Sequence, residues 1–83
     1  MYKLKQGFIV QKKDNSVTLF DGEKSLLYTF NESASYIFEQ IKKGLNGEEI
    51  IKKITKKYKI SKKEANKDFR KLLNDLKRKK IIL

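Results

Sequence analysis

The stretch Ser25-Leu26-Leu27-Tyr28-Thr29-Phe30-Asn31-Glu32-Ser33-Ala34 reads as a strand that runs directly into a helix. Leu26, Tyr28 and Phe30 alternate with Leu27 and Thr29, which is the period of two of a β-strand. Asn31 then brings a short side-chain oxygen of the kind that accepts from the free N–H groups of a first helical turn. Ala34, Ile37, Phe38 and Ile41 come next at helical spacing. The junction divides the chain. Residues before it are patterned as strands and residues after it as helices.

Before the junction, Gly7 to Lys12 reads as a first short strand. Met1 to Gln6 has little pattern and is expected to be loose. Lys13 to Ser16 is polar and turn-prone, and Val17 to Phe20 is a second strand with Val17 and Leu19 on one face. Asp21-Gly22 is a strong short hairpin signal ahead of the third strand, Leu26 to Phe30. Tight connections imply an antiparallel meander with the second strand in the middle, so the first and third strands are both edges.

After the junction, the first helix is expected from Glu32 to Lys43, ended by Gly44 as a left-handed cap. Asn46 and Glu49 form a capping-box pattern that opens a second helix to about Tyr58, with Ile50, Ile51, Ile54 and Tyr58 inward. Ser61 and Glu64 repeat the box and open a third helix from Lys62 to about Lys79. Its inward stripe is Ala65, Phe69, Leu72 and Leu76. Ile81-Ile82-Leu83 is apolar and is expected to fold back onto the core. The fold class is therefore α+β: a three-stranded antiparallel β-meander followed by three helices. The second helix, the turn at Lys59 to Ser61 and the third helix make it winged helix-turn-helix-like.

Composition narrows the chemistry. Eighty-three residues make one domain, 1–83, with a small core. The absence of Cys and His excludes disulfides, thiolate chemistry, Cys/His zinc sites and imidazole catalysis. No Gly-rich phosphate loop or paired-carboxylate cleft is visible, so no enzyme activity, cofactor or metal is expected. No apolar run approaches the roughly 18 residues of a membrane span, and no signal-peptide core is present, so the expectation is a cytoplasmic protein without a membrane partner. The 21 Lys and Arg outweigh ten Asp and Glu, for a net charge of +11. Such an excess steers acidic partners. Nearly all the cations are Lys, a residue that AT-rich genomes over-use, so the charge alone selects no partner.

In order and spacing, the motifs resemble the PqqD-like proteins, also called RiPP recognition elements, which serve ribosomally synthesised and post-translationally modified peptides. The resemblance runs from about Phe8 to Leu83 and is carried by Leu19-Phe20-Asp21, Phe30-Asn31-Glu32-Ser33-Ala34, Ile37-Phe38, Gly44, Glu48-Glu49-Ile50, Tyr58-Lys59-Ile60-Ser61 and Ile81-Ile82. Phe30 stands where the family usually has Leu, and Phe38 where Trp is common. The resemblance implies a non-catalytic domain that binds the leader of a precursor peptide. It implies delivery to a separate modifying enzyme, a radical SAM protein or a leader peptidase/cyclase. It also implies that the leader lies beside the third strand as an added antiparallel strand, in a groove closed by the third helix.

An open edge can carry that role, because its unpaired N–H and C=O groups can be satisfied by a guest peptide. The expected peptide-binding residues on the strand are Leu26, Leu27, Tyr28, Thr29 and Phe30. Leu26, Tyr28 and Phe30 are assigned to the core face, though periodicity alone does not say which set lines the groove. On the third helix, Asn66, Arg70, Leu73 and Lys77 flank the inward stripe. An apolar Leu73 between two cations suits an apolar leader residue flanked by carboxylates. The plain alternative is that Leu73 widens the core stripe and that Arg70 and Lys77 are solvated.

The rival reading is a helix-turn-helix that binds nucleic acid through Lys62, Lys63, Asn66, Lys67, Arg70 and Lys71. Only Arg70 on that face offers a bidentate base contact, and the Lys residues spread around the helices rather than forming one stripe. A leader peptide is therefore the expected partner and nucleic acid is not.

Overall fold

The computed structural model describes residues 2–82. β1 (Phe8–Lys13), β2 (Ser16–Asp21) and β3 (Leu26–Thr29) precede α1 (Glu32–Lys42), α2 (Gly47–Tyr58) and α3 (Lys62–Arg78). The strands form one antiparallel sheet in the order β1-β2-β3, so among the described residues β3 has a strand neighbour on one side only. Pairing runs from Phe8↔Asp21 to Lys13↔Ser16 in the first hairpin, and from Thr18↔Thr29 to Asp21↔Leu26 in the second.

The two turns solve the reversal differently. Asp14 takes a left-handed backbone (φ 55) in the tight turn after Lys13, matching the twist of the flanking strands. The Asp-Gly signal does not produce a two-residue turn. Residues 22–25 form the connection, and the left-handed residue is Ser25 (φ 56) rather than Gly22. The Asp21 carboxylate organises this loop, accepting from the N–H groups of Glu23 (3.0 Å) and Lys24 (3.2 Å).

One face of the sheet carries the core. Val17 and Leu19 of β2 are fully buried against Ile37, Phe38 and Ile41 of α1, Ile50 and Ile54 of α2, and Ala65, Phe69, Leu72 and Leu76 of α3. Leu19 pairs with Tyr28, which puts Leu26, Tyr28 and Phe30 on the helix side and Leu27 and Thr29 on the opposite face. Among the described residues no helix covers that opposite face. Ile9, Phe20 and Leu27 remain exposed on it.

The helices start where the sequence signals them. The Asn31 Oδ1 accepts from Ala34 N–H at 2.8 Å. Both bonds of the Asn46–Glu49 box form, and Ser61 Oγ accepts from Glu64 N–H at 3.1 Å. Gly44 (φ 86) closes α1, with Leu45 N–H returning to the Gln40 carbonyl.

Ser35 welds α1 to the sheet. Its buried hydroxyl accepts from Val17 N–H (2.8 Å) and donates to the Phe30 carbonyl (3.3 Å), standing in for one rung of the β2–β3 ladder.

The amino-terminal segment departs from expectation. Leu4 bridges to Ile82, Lys5 N–H donates to the Ile81 carbonyl (2.8 Å), and Tyr2 packs edge-on against Phe69. The segment is held because Tyr2 and Leu4 cover core at the carboxyl end, where Ile81 and Ile82 fold back as expected. Met1 and Leu83 lie outside the described residues.

Candidate functional site

β3 is an edge strand of the sheet. Phe30 N–H donates to the Val17 carbonyl at 3.0 Å, so Val17 and Phe30 are a closely bonded pair at the end of β3. Closely and widely spaced pairs alternate along an antiparallel ladder. Leu19–Tyr28 is therefore of the bonded type, while Thr18–Thr29 and Phe20–Leu27 are not. Leu27 and Thr29 consequently turn their N–H and C=O groups away from β2. Those main-chain groups are what an added strand can use.

Beside this edge lies a cleft of about 760 Å³ between the β3–α1 junction and α3. Thr29, Phe30 and Asn31 form one wall, with Ala34 and Ile37 behind them. The α3 wall presents Asp68, Lys71, Leu72, Asp75, Arg78 and Lys79. The interior is therefore apolar at Phe30, Ile37 and Leu72, and the rim on α3 alternates in sign.

This wall is not the flank expected from the sequence. At about 100° per residue, Asp68, Lys71, Asp75 and Arg78 lie on one side of the inward stripe, and Asn66, Arg70, Leu73 and Lys77 on the other. None of those last four lines the cleft. Leu73 is buried and belongs to the core, so it widens the inward stripe. Arg70 is exposed, and its Nε donates to Asn66 Oδ1 at 3.3 Å. Lys77 is exposed. The α3 stripe has two flanks, and the cleft lies against the one that carries Asp68, Lys71 and Asp75. The strand residues Leu26, Leu27, Tyr28 and Thr29 do form the edge, and Phe30 comes after them as a buried residue of the cleft wall.

Lys79 joins the two walls. Its ammonium sits 5.0 Å from the centre of the Tyr28 ring and 3.0 Å from Asp75 Oδ2. Arg78 Nη2 donates to Asp75 Oδ1 at 2.6 Å. The hydrogen bond from Lys79 holds the Asp75 carboxyl below the usual carboxylate range, with Arg78 assisting and partial burial opposing. One signal for this flank was present in the sequence: Asp75 and Lys79 are spaced to pair on a helix surface.

A second pocket of about 250 Å³ lies between the first hairpin, α1 and the end of α2. Tyr36 and Tyr58 meet edge-on there, with Lys57 over the Tyr36 ring at 4.9 Å. Burial, aided by Glu32 and Tyr36, pushes the Tyr58 hydroxyl above its ordinary pKa. β3 does not contribute to this pocket. Among the described residues no group of His, Cys, Asp and Glu is placed to hold a metal ion, and no helix is long and apolar enough to cross a membrane.

A three-stranded sheet whose β3 edge opens beside a cleft, with a helix-turn-helix pair packed on one face, defines the class as an α+β domain with an accessible strand edge. The family whose pattern matches the chain, over residues 17–82, is described as coenzyme PQQ synthesis protein D (PqqD), and the chain belongs to that family. Two solved structures share the fold. "TbiB1 in Complex with the TbiA(beta) Leader Peptide" is 21% identical, with a TM-score of 0.91 over 96% of this chain and 93% of that one. "Lasso peptide synthetase B1 complexed with the leader peptide" is 22% identical, with a TM-score of 0.91 over 99% of this chain and 96% of that one. No curated protein matches the chain.

Proposed function

We propose that this chain is a peptide-recognition module that captures the leader of a ribosomally made precursor as a fourth antiparallel strand on β3. The observation that carries the reading is the unpaired β3 edge opening directly onto the cleft against α3. Both structural relatives are complexes with a leader peptide, which supports it. Main-chain bonds to Leu27 and Thr29 supply affinity with little sequence demand. Guest side chains opposite Leu26, Tyr28 and Phe30 point toward the helices, where Leu72 and Ile37 offer apolar contact and Lys71, Arg78 and Lys79 attract carboxylates. The module performs no chemistry itself. It presents the attached core peptide to a separate modifying enzyme, a radical SAM protein or a peptidase/cyclase.

The test is NMR shift mapping of the ¹⁵N-labelled domain. The leader of the precursor encoded nearest its gene is titrated first, and a duplex DNA second, at physiological salt. Saturable shifts at residues 26–31 and at Lys71, Asp75 and Lys79 with peptide alone are the expected result. Silence toward peptide, with shifts along Lys62 to Lys71 on DNA, would overturn it.

A further inference from the structure

The pairing that frees Leu27 also fixes where the guest's side chains go. Residues directly opposite each other on antiparallel strands point to the same face of the sheet. A guest residue opposite Leu27 therefore points away from the cleft, onto the face that no helix covers. Leu27 there is 65% exposed. Its partner on β2 is Phe20 (38% exposed), and the partner of Phe20 on β1 is Ile9 (58% exposed). The three form a straight apolar row across the sheet that ends at the edge where the guest would lie. The next row on the same face is Gln11, Thr18 and Thr29, which is polar throughout. Side by side, the rows present the outward residues of an added strand with two different neighbours.

We infer that the leader is read on both faces of the sheet, and that Leu27 is the specificity-determining residue of the outer one. An antiparallel guest meets Thr29 before Leu27. The fitting leader thus carries a small polar residue, Ser or Thr, and two residues later an apolar, β-branched or aromatic one. The residue between them enters the cleft. The polar residue pairs with Thr29 and the apolar one packs on Leu27, extending the Ile9–Phe20–Leu27 row to a fourth member. This inference rests on the leader-binding reading and adds a chemical requirement that the cleft does not impose.

The test selects an mRNA-displayed library of random twelve-residue peptides on the immobilised wild-type domain, on Leu27→Glu and on Leu27→Lys. The side chain is exposed, so both variants are expected to give amide spectra of a folded domain. Wild-type selectants, once aligned, should favour apolar over charged residues at one position by about two- to fivefold, with Ser or Thr enriched two residues earlier. On Leu27→Glu that one position should turn to Lys or Arg, and on Leu27→Lys to Asp or Glu, the other positions staying unchanged. Identical profiles on all three proteins would overturn the inference and leave leader binding intact. Failure of the wild type to enrich any extended peptide would overturn both.

Discussion

At the scale of single residues, the α3 surface separates packing from recognition. Leu73 looks like a groove residue in the sequence, because it lies between cations just off the inward stripe. Its burial makes it part of the core. Leu73→Ala should therefore lower stability by about 2–3 kcal/mol, read as a smaller urea midpoint at unchanged slope. Leader affinity of the fraction that stays folded should be unaltered. Lys71 is the converse case. It is exposed, and it lies on the cleft wall beside Leu72. Lys71→Glu should leave the urea midpoint within error and weaken binding of an acidic leader by about three- to tenfold in fluorescence anisotropy. If Leu73→Ala weakened binding and Lys71→Glu did not, the leader would bind along the other flank of α3 and not in the cleft.

At the scale of elements, the strand-to-helix junction does two jobs. Ser35 replaces a ladder rung with its own hydroxyl, tying the first turn of α1 to Val17 and Phe30. Ser35→Ala would leave a buried N–H and a buried carbonyl short of a partner. It should cost about 1–3 kcal/mol in chemical denaturation, with the loss of amide protection concentrated at Val17. The alternation along β3 can be probed with proline, which removes an N–H. Thr29→Pro deletes an N–H that faces the free edge, so the domain should fold and leader affinity should fall at least about tenfold. Tyr28→Pro deletes one that bonds to β2, and should destabilise the domain by about 3 kcal/mol. Equal effects of the two prolines on folding would refute the assigned register.

Much of this architecture was legible because each element carries its own start and stop. Asn31, Asn46 and Ser61 cap the three helices, Gly44 ends the first, and the alternation at Leu26 to Phe30 places the β3 side chains. The flank of α3 was not legible, since a helical stripe is symmetric about its centre and only tertiary packing breaks the tie. The order at Tyr2, Leu4 and Lys5 was hidden for a related reason. It depends on partners, Phe69, Ile81 and Ile82, from the far end of the chain.

At the scale of the whole molecule, charge and shape act on different steps of capture. The net charge of +11 produces a long-range field, while the cleft wall itself mixes Asp68 and Asp75 with Lys71, Arg78 and Lys79. Long-range attraction raises the rate of encounter, whereas close-range main-chain bonds and packing set the lifetime of the complex. Screening shortens from about 10 Å at 0.1 M salt to about 3 Å at 1 M, which removes the first effect and spares most of the second. Stopped-flow binding of an acidic leader should accordingly show an association rate that falls at least about tenfold over that range. The dissociation rate should change less than about threefold. A salt-independent association rate would mean that the lysines contribute nothing to capture and that the β3 edge works alone. A dissociation rate as salt-sensitive as association would mean that ion pairs to Lys71, Arg78 and Lys79, rather than the strand, hold the leader in place.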